Sequence, residues 1–357
     1  LIAAGHSVAI LAWDRIKGPS AQETIDGIAV SRFGPKSAFS NFLLFVVTLP
    51  LFWLGCIWTM LRTEWDVVQC NDLDTLPAGL LAAKIRGKPV VYDAHEIYSG
   101  MIEPHVPKPV FALVQAVERT MVRHPDAVIC VNERFAEILK GWGAPEPTVV
   151  MGCVPLAPVP KAQVEALRQS LGIGNRRAIL YVGVLEPKRN LVELAEGFNR
   201  LAWPDAVFVI GGFGSLEGKI RAAASKNVVF VGEVAPKDVP TYTHLADVLV
   251  AIYDPRERNN RDSVPNKLFE AMSGGKPIVV AKGTWTGDTA ERVGCGIAVE
   301  YDGDAPFDAI RKVLDDPALY AKLSENGVRA YKETYNWEAM AARLVKAYAS
   351  LLERPST

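Results

Sequence analysis

An excess of one charge is missing from this chain. Its 39 lysines and arginines stand against 40 aspartates and glutamates over 357 residues, a formal net charge of −1. Nucleic-acid binders normally carry a basic excess, so the composition argues against that partner. Cysteine is also scarce: Cys56, Cys70, Cys130, Cys153 and Cys295 are odd in number, scattered and free of any C-x-x-C pair. They form neither a disulfide framework nor a zinc signature, which points to a reducing, cytoplasmic compartment. The five histidines show no H-x-H or H-E-x-x-H grouping, so no metal is expected. The chain does not start with Met. Leu1-Ile2-Ala3-Ala4-Gly5 reads as a helix end stopped by glycine. The expectation is that a first strand and most of a first helix precede it.

What is present is an apolar, folded composition, 49% hydrophobic and 22% charged. Its length exceeds what one hydrophobic core usually serves. Short β-branched runs alternate with amphipathic stretches such as Leu76–Ile85 and Val239–Ala246. The strand-like runs in the first half are Ser7–Leu11, Ile28–Phe33, Asp66–Cys70, Pro89–Tyr92, Ala127–Val131 and Thr148–Met151. In the second half they are Ala178–Val182, Ala206–Ile210, Val228–Val231, Val248–Ile252, Pro277–Ala281 and Gly296–Glu300. This alternation predicts α/β architecture, with two doubly wound parallel-sheet domains. The three prolines of 152–160 mark the hinge between them.

Asp262-Ser-Val-Pro-Asn-Lys-Leu-Phe-Glu270 is the segment richest in chemistry. Pro265 suits a first helical turn. The exposed N–H groups there, with Asn266 and Lys267, would make an anion site for a diphosphate. Glu270 lies one turn on, placed to accept hydrogen bonds from ribose hydroxyls; an ordinary capped helix with a solvent-facing Glu fits the same residues. Two motifs read as decoys. Asp72-Leu73-Asp74 spells D-x-D but falls between a strand and a helix, where Asp serves as an N-cap. Gly212-Phe-Gly214 misses the dinucleotide fingerprint because the next glycine, Gly218, comes one residue late.

These segments resemble the family-4 retaining glycosyltransferases of the GT-B fold. The matching landmarks are Tyr181-Val-Gly-Val-Leu-Glu-Pro-Lys-Arg-Asn190, Gly211-Gly-Phe-Gly214, Val228–Val234, the Pro265–Glu270 segment and Tyr335-Asn-Trp337. Asn71–Pro77 and Val90–Glu96 match more weakly. The resemblance implies two Rossmann-like domains facing across a cleft: an acceptor-side domain over 1–155 and a nucleotide-sugar-binding domain over 156–336. The helix 337–357 would pack back on the first. It implies Glu270 on the ribose and Asp262, in place of the family's Glu, near the donor sugar. Arg189 and Lys188 would neutralise the leaving diphosphate, and Pro265, Asn266, Lys267 and Leu268 would bind the donor. Backbone groups around Gly232-Glu233-Val234 would read the base, and Gly212 and Gly214 would let their loop approach the donor. His95 would contact its sugar or phosphate, oriented by Asp93 and Glu96. The family's second cation falls on Val184, where no charge is available.

From Ser37 to Leu61 there is no charged residue. The length suits a membrane span, yet strands expected to share one sheet flank the segment, which argues against crossing. Pro50 predicts two short helices meeting at a kink. They would form an in-plane membrane contact through 42–61, with Trp53, Trp58, Lys36 and Arg62 at the headgroups. A buried pair or a dimer contact would use the same residues. The expected function is metal-independent, retaining transfer from a nucleoside-diphosphate sugar to a glycan or lipid-linked acceptor at the cytoplasmic membrane face, with no cofactor. A nucleotide-sugar epimerase and a non-catalytic donor-binding protein are the alternatives.

Overall fold

The computed structural model describes residues 1–15, 21–37, 42–155 and 158–353. Leu156 and Ala157 of the expected hinge, and 38–41 of the apolar segment, lie outside them. The chain divides into two compact units, Leu1–Met151 with Met340–Thr357, and Gly152–Ala339.

The first unit holds two sheets. Strands β1 (Ala9–Trp13), β2 (Gln22–Ile25) and β3 (Ile28–Phe33) pair in the order β1-β3-β2. Strands β4 (Val68–Asn71), β5 (Val90–Ala94), β6 (Ala127–Cys130) and β7 (Thr148–Val149) form an all-parallel sheet in sequence order. Two sequence expectations need correction. The strand Gln22–Ile25 went unpredicted because Gln-Glu-Thr-Ile carries little apolar signal. It pairs antiparallel with β3 across Asp26-Gly27, whose φ values of 49° and 82° fit a two-residue hairpin turn. In addition, Ile28–Phe33 and Val68–Asn71 belong to different sheets, although to one unit.

The apolar segment between them is one helix, Phe42–Arg62, with Pro50 inside it rather than two helices meeting there. A proline in a helix interior costs about 3 kcal/mol, and tertiary burial offsets that cost. Phe52, Cys56 and Met60 are buried against Ala78 and Ala82 of the helix Leu76–Arg86. Trp13 and Phe33 of one sheet and Val68 of the other join this cluster. Each large apolar side chain so buried contributes roughly 1.5–3 kcal/mol. Trp53 also turns inward, its indole N–H donating to the Asp74 carbonyl at 2.5 Å. On the face of the second sheet, Tyr348 and Leu351 of the closing helix Trp337–Leu352 pack against Val91 and Ile129.

In the second unit, β8 (Arg177–Val182), β9 (Ala206–Gly211), β10 (Val228–Phe230), β11 (Val248–Ala251), β12 (Ile278–Ala281) and β13 (Gly296–Val299) build one sheet. Their order is β10-β9-β8-β11-β12-β13, and every pair is parallel. All of β9 is buried, as a sheet covered on both faces requires. The strand order reverses between β8 and β11. In such sheets ligands bind beyond the carboxyl ends of the strands at that reversal.

Candidate functional site

The loops that leave β8, β9 and β10 are tied together through backbone. Gly183 N–H donates to Gly211 O at 3.0 Å, Leu185 N–H to Phe213 O at 2.8 Å, and Gly212 N–H to Gly232 O at 2.7 Å. The contact is so close that a Cβ on Gly212 would stand 1.8 Å from the Gly183 carbonyl oxygen. One on Gly214 would stand 2.5 Å from that of Leu185. Both glycines have positive φ, 138° and 147°, which side chains rarely tolerate. Both admit the neighbouring loop at close range. Val234 lies over the end of β9, its Cγ2 2.7 Å from where a Gly211 Cβ would be.

Two cations meet at Tyr181, the buried penultimate residue of β8. Arg189 Nη1 donates to the Tyr181 hydroxyl at 3.3 Å, and its guanidinium carbon lies 4.9 Å from the centre of the Tyr253 ring. The Lys267 ammonium sits 4.2 Å from the centre of the Tyr181 ring and only 2.5 Å from a Cβ that Gly183 lacks. Burial pushes the Tyr181 phenol up to about 12, with Tyr253 adding to it and the two cations opposing it. The phenol therefore stays protonated and donates to Val184 O at 2.7 Å. Val184 brings no charge of its own. Arg189 and Lys267 are the cations that meet at Tyr181, while Lys188, expected beside Arg189, forms an ion pair with Glu257.

Lys267 is the second residue of the helix Asn266–Gly274, which starts beside this turn. Pro265 is its N-cap, in extended conformation, rather than a residue of the first helical turn. As proline it brings no side-chain cap of its own. The Leu268 amide closes back on Pro265 O at 3.2 Å, while the Asn266 and Lys267 amides precede that bond. Such amides, with the helix dipole and two cations, form a site suited to an anion. Glu270 lies one turn further and is half-buried. Burial raises its carboxyl above the ordinary range, and Lys267 opposes that rise. Asp262, the last residue of the short helix Arg258–Asp262, is buried and accepts bonds from the Arg261 guanidinium at 3.2 and 3.1 Å.

His95 belongs to the first unit, on the turn after β5, with its imidazole largely exposed. Its Nε2 is 3.6 Å from Asp93 Oδ2, which accepts from Gln69 Nε2 at 2.9 Å. Gln69 Oε1 accepts from the Tyr348 hydroxyl. Asp72 and Asp74 are not N-caps: Thr75 holds that position before Leu76–Arg86, without a side-chain capping bond.

Sequence reasoning missed Tyr181 and Tyr253 as anchors of the cations. The position of Tyr181, just before the glycine that ends β8, was the available signal. A separate cavity of about 480 Å³ is lined by Glu193, Glu196, Arg200, Asp302 and Asp304. Its acidic lining makes it unsuited to a diphosphate.

Residues 1–153 match the family described as "Glycosyl transferase 4-like domain", and residues 176–316 match "Glycosyl transferases group 1". A glycogen synthase of Mycobacterium tuberculosis is 25% identical over 98% of this chain and 87% of its own length. Among solved structures, sucrose-phosphate synthase from Thermosynechococcus elongatus superposes with a TM-score of 0.79 at 18% identity, over 98% of this chain and 90% of that one. HepE from Anabaena, solved with UDP, gives 0.71 at 18% identity over 97% and 100% of the two chains.

Proposed function

Since the chain belongs to the group 1, family-4 glycosyltransferases and has their GT-B fold, we propose that it transfers a sugar from a nucleoside-diphosphate sugar with retention and without a metal. The acceptor in this reading is a lipid-linked or membrane-presented glycan at the cytoplasmic face of the membrane. The observation that carries the donor half is the meeting of Arg189 and Lys267 at Tyr181, beside the start of the helix Asn266–Gly274. Breaking a glycosidic bond to a diphosphate develops negative charge on the leaving oxygens, and fixed cations and N–H dipoles stabilise it without a metal. HepE, of the same fold, was solved with UDP and with UDP-glucose, which supports a nucleotide sugar as ligand. In this scheme Glu270 takes ribose hydroxyls, and Asp262 and His95 contact the sugar.

The acceptor half rests on the helix Phe42–Arg62. Its inner face is buried, while Leu44, Val47, Leu51, Leu54 and Trp58 form one exposed stripe at helical spacing. Leu54 is 64% and Trp58 58% exposed, and the Arg62 guanidinium carbon lies 3.4 Å from the centre of the Trp58 ring. The neighbouring helix Leu76–Arg86 adds exposed Leu81 and Ile85, with Lys84 beside them. Both ends of the long helix lead to strands of one unit, which supports a shallow, in-plane contact over a span. Here Trp53 faces the core and Trp58 faces the lipid.

The test is turnover with a panel of UDP-, GDP- and dTDP-hexoses in EDTA, with membrane lipid extract as acceptor. Proton NMR reads the configuration of the new linkage. Products carrying the donor's own anomeric configuration are expected. Inverted products, or turnover that needs a divalent ion, overturn the mechanism.

A further inference from the structure

The closing helix Trp337–Leu352 reaches the end of β5 through a chain of side chains on one face of the sheet. Side chains alternate across a strand, and the β4–β5 register pairs Gln69 with Val91 and Asn71 with Asp93. All four therefore point to the face on which Tyr348 packs against Val91. The Tyr348 hydroxyl, 279 positions from Gln69 in sequence, donates to Gln69 Oε1. Gln69 Nε2 donates to Asn71 Oδ1 at 2.8 Å and to Asp93 Oδ2 at 2.9 Å. The same Asp93 oxygen stands 3.6 Å from His95 Nε2. A flipped Gln69 amide would set its oxygen against the Asp93 carboxylate, so the direction of the chain is fixed. Tyr348 is buried beside Val91 and Ile129, which anchors the chain in the core. Burial raises the Asp93 carboxyl above the ordinary range, with His95 opposing the rise and Asp72 adding to it. The bond donated by Gln69 supports its ionised form.

We infer that Gln69 and Tyr348 are positioning residues for His95: they fix the Asp93 carboxylate, and Asp93 holds the imidazole. The inference rests on the reading that His95 touches the donor. A carboxylate beside Nε2 favours a proton there and leaves Nδ1 as the acceptor for a donor hydroxyl. The imidazole is largely exposed, so packing alone restrains it weakly and the restraint comes through Asp93. A functional side chain must be held to a fraction of an ångström, because a displacement near 1 Å can cost about 100-fold in rate.

The experiment uses the intact chain with Gln69→Leu, Tyr348→Phe, Asp93→Asn and His95→Ala. Nitrogen-15 NMR of the ligand-free, histidine-labelled protein reads the His95 ring nitrogens, assigned from the signals that His95→Ala removes. It needs neither donor nor acceptor, and so reads positioning apart from transfer. Asp93→Asn and Gln69→Leu are each expected to move both ring signals, and Tyr348→Phe to move them the same way by less. Unmoved signals in Asp93→Asn or in Gln69→Leu overturn the inference. Kinetics with the best nucleotide sugar of the panel read the consequence. Gln69→Leu is expected to lower kcat about 10-fold and Tyr348→Phe about 3-fold, with the Kd for the free nucleoside diphosphate within about twofold. In the His95→Ala background neither is expected to have a further effect. An equal loss in both backgrounds, or none in either, overturns the positioning role. Full activity of His95→Ala overturns the His95 reading, and this inference with it. Tyr348→Phe keeps the packed ring and supplies the comparison should Gln69→Leu fail to fold.

Discussion

Lys267 and Tyr181 are in direct contact: the ammonium nitrogen lies 4.2 Å from the centre of the phenol ring, whose hydroxyl also accepts from Arg189 at 3.3 Å. One aromatic side chain at the end of β8 thus orients both cations of the candidate anion site. Cation–π contact is worth about 0.5–2 kcal/mol depending on desolvation, enough to bias where two flexible side chains rest. Lys267→Met and Arg189→Ala are each expected to lower kcat/KM for the donor about 10- to 100-fold, as loss of a charge-assisted bond to phosphate requires. Because the two share Tyr181, their combined loss should be smaller than the product of the single losses. Tyr181→Phe keeps the ring and loses the hydroxyl, and only a few-fold loss is expected. Steady-state kinetics of the four variants checks the pattern.

Glu270 sets stability against function. Burial raises its folded-state pKa above the unfolded value, so the folded protein binds its proton more tightly than the unfolded chain does. The associated stabilisation is complete below the unfolded pKa, near 4.3, and is lost as pH rises through the folded one. At pH 7 the ionised carboxylate is therefore a burden. Glu270→Gln is expected to raise the Tm of the ligand-free protein at pH 7, with a smaller gain at pH 4, while weakening nucleotide binding. Thermal unfolding at the two pH values, with and without nucleoside diphosphate, reads both effects.

Gly212→Ala places a methyl group where the Gly183 carbonyl oxygen stands. The β8 and β9 loops must part or the backbone must strain. A loss of about 3 kcal/mol or more is expected, with nucleotide binding lost alongside. Gly218→Ala, where a Cβ meets nothing within 4 Å, is the control and should retain both. Chemical denaturation and nucleotide titration of the pair distinguish them.

The membrane contact is tested by liposome flotation with anionic vesicles. Leu51→Ser, Leu54→Ser and Trp58→Ser combined alter exposed positions, and the fold is expected to survive while recovery with vesicles falls at least fivefold. Each large apolar side chain entering the interface contributes on the order of 1 kcal/mol. Changing Phe52 and Trp53 would instead damage the core. Unchanged recovery of the exposed-face variant contradicts the contact.

Periodicity exposed the elements whose apolar content is continuous, such as Ala206–Gly211, and alternation predicted the parallel sheets. Gln22–Ile25 was invisible because its register is fixed by β3 and the Asp26-Gly27 turn rather than by its own hydrophobicity. Pro50 misled for a related reason, since local propensity is weaker than the burial of Phe52, Cys56 and Met60. The Pro265–Glu270 segment was legible because a helix start and its chemistry are contiguous in sequence. The partnership of Lys267 with Arg189 was not, as the two are 78 positions apart and meet only through Tyr181. Likewise the D-x-D segment reads as a cap, and only the fold shows that Thr75 takes that position.

Isothermal titration of the intact protein with UDP, GDP, ADP and dTDP, in EDTA, tests most directly whether Arg189, Lys267 and the start of the 266–274 helix hold a nucleoside diphosphate. At least one of the four is expected to bind with a Kd in the micromolar range, about −8 kcal/mol, and the Arg189→Ala/Lys267→Met double variant is expected to lose that binding. Absence of heat with all four, or undiminished binding by the double variant, contradicts the account.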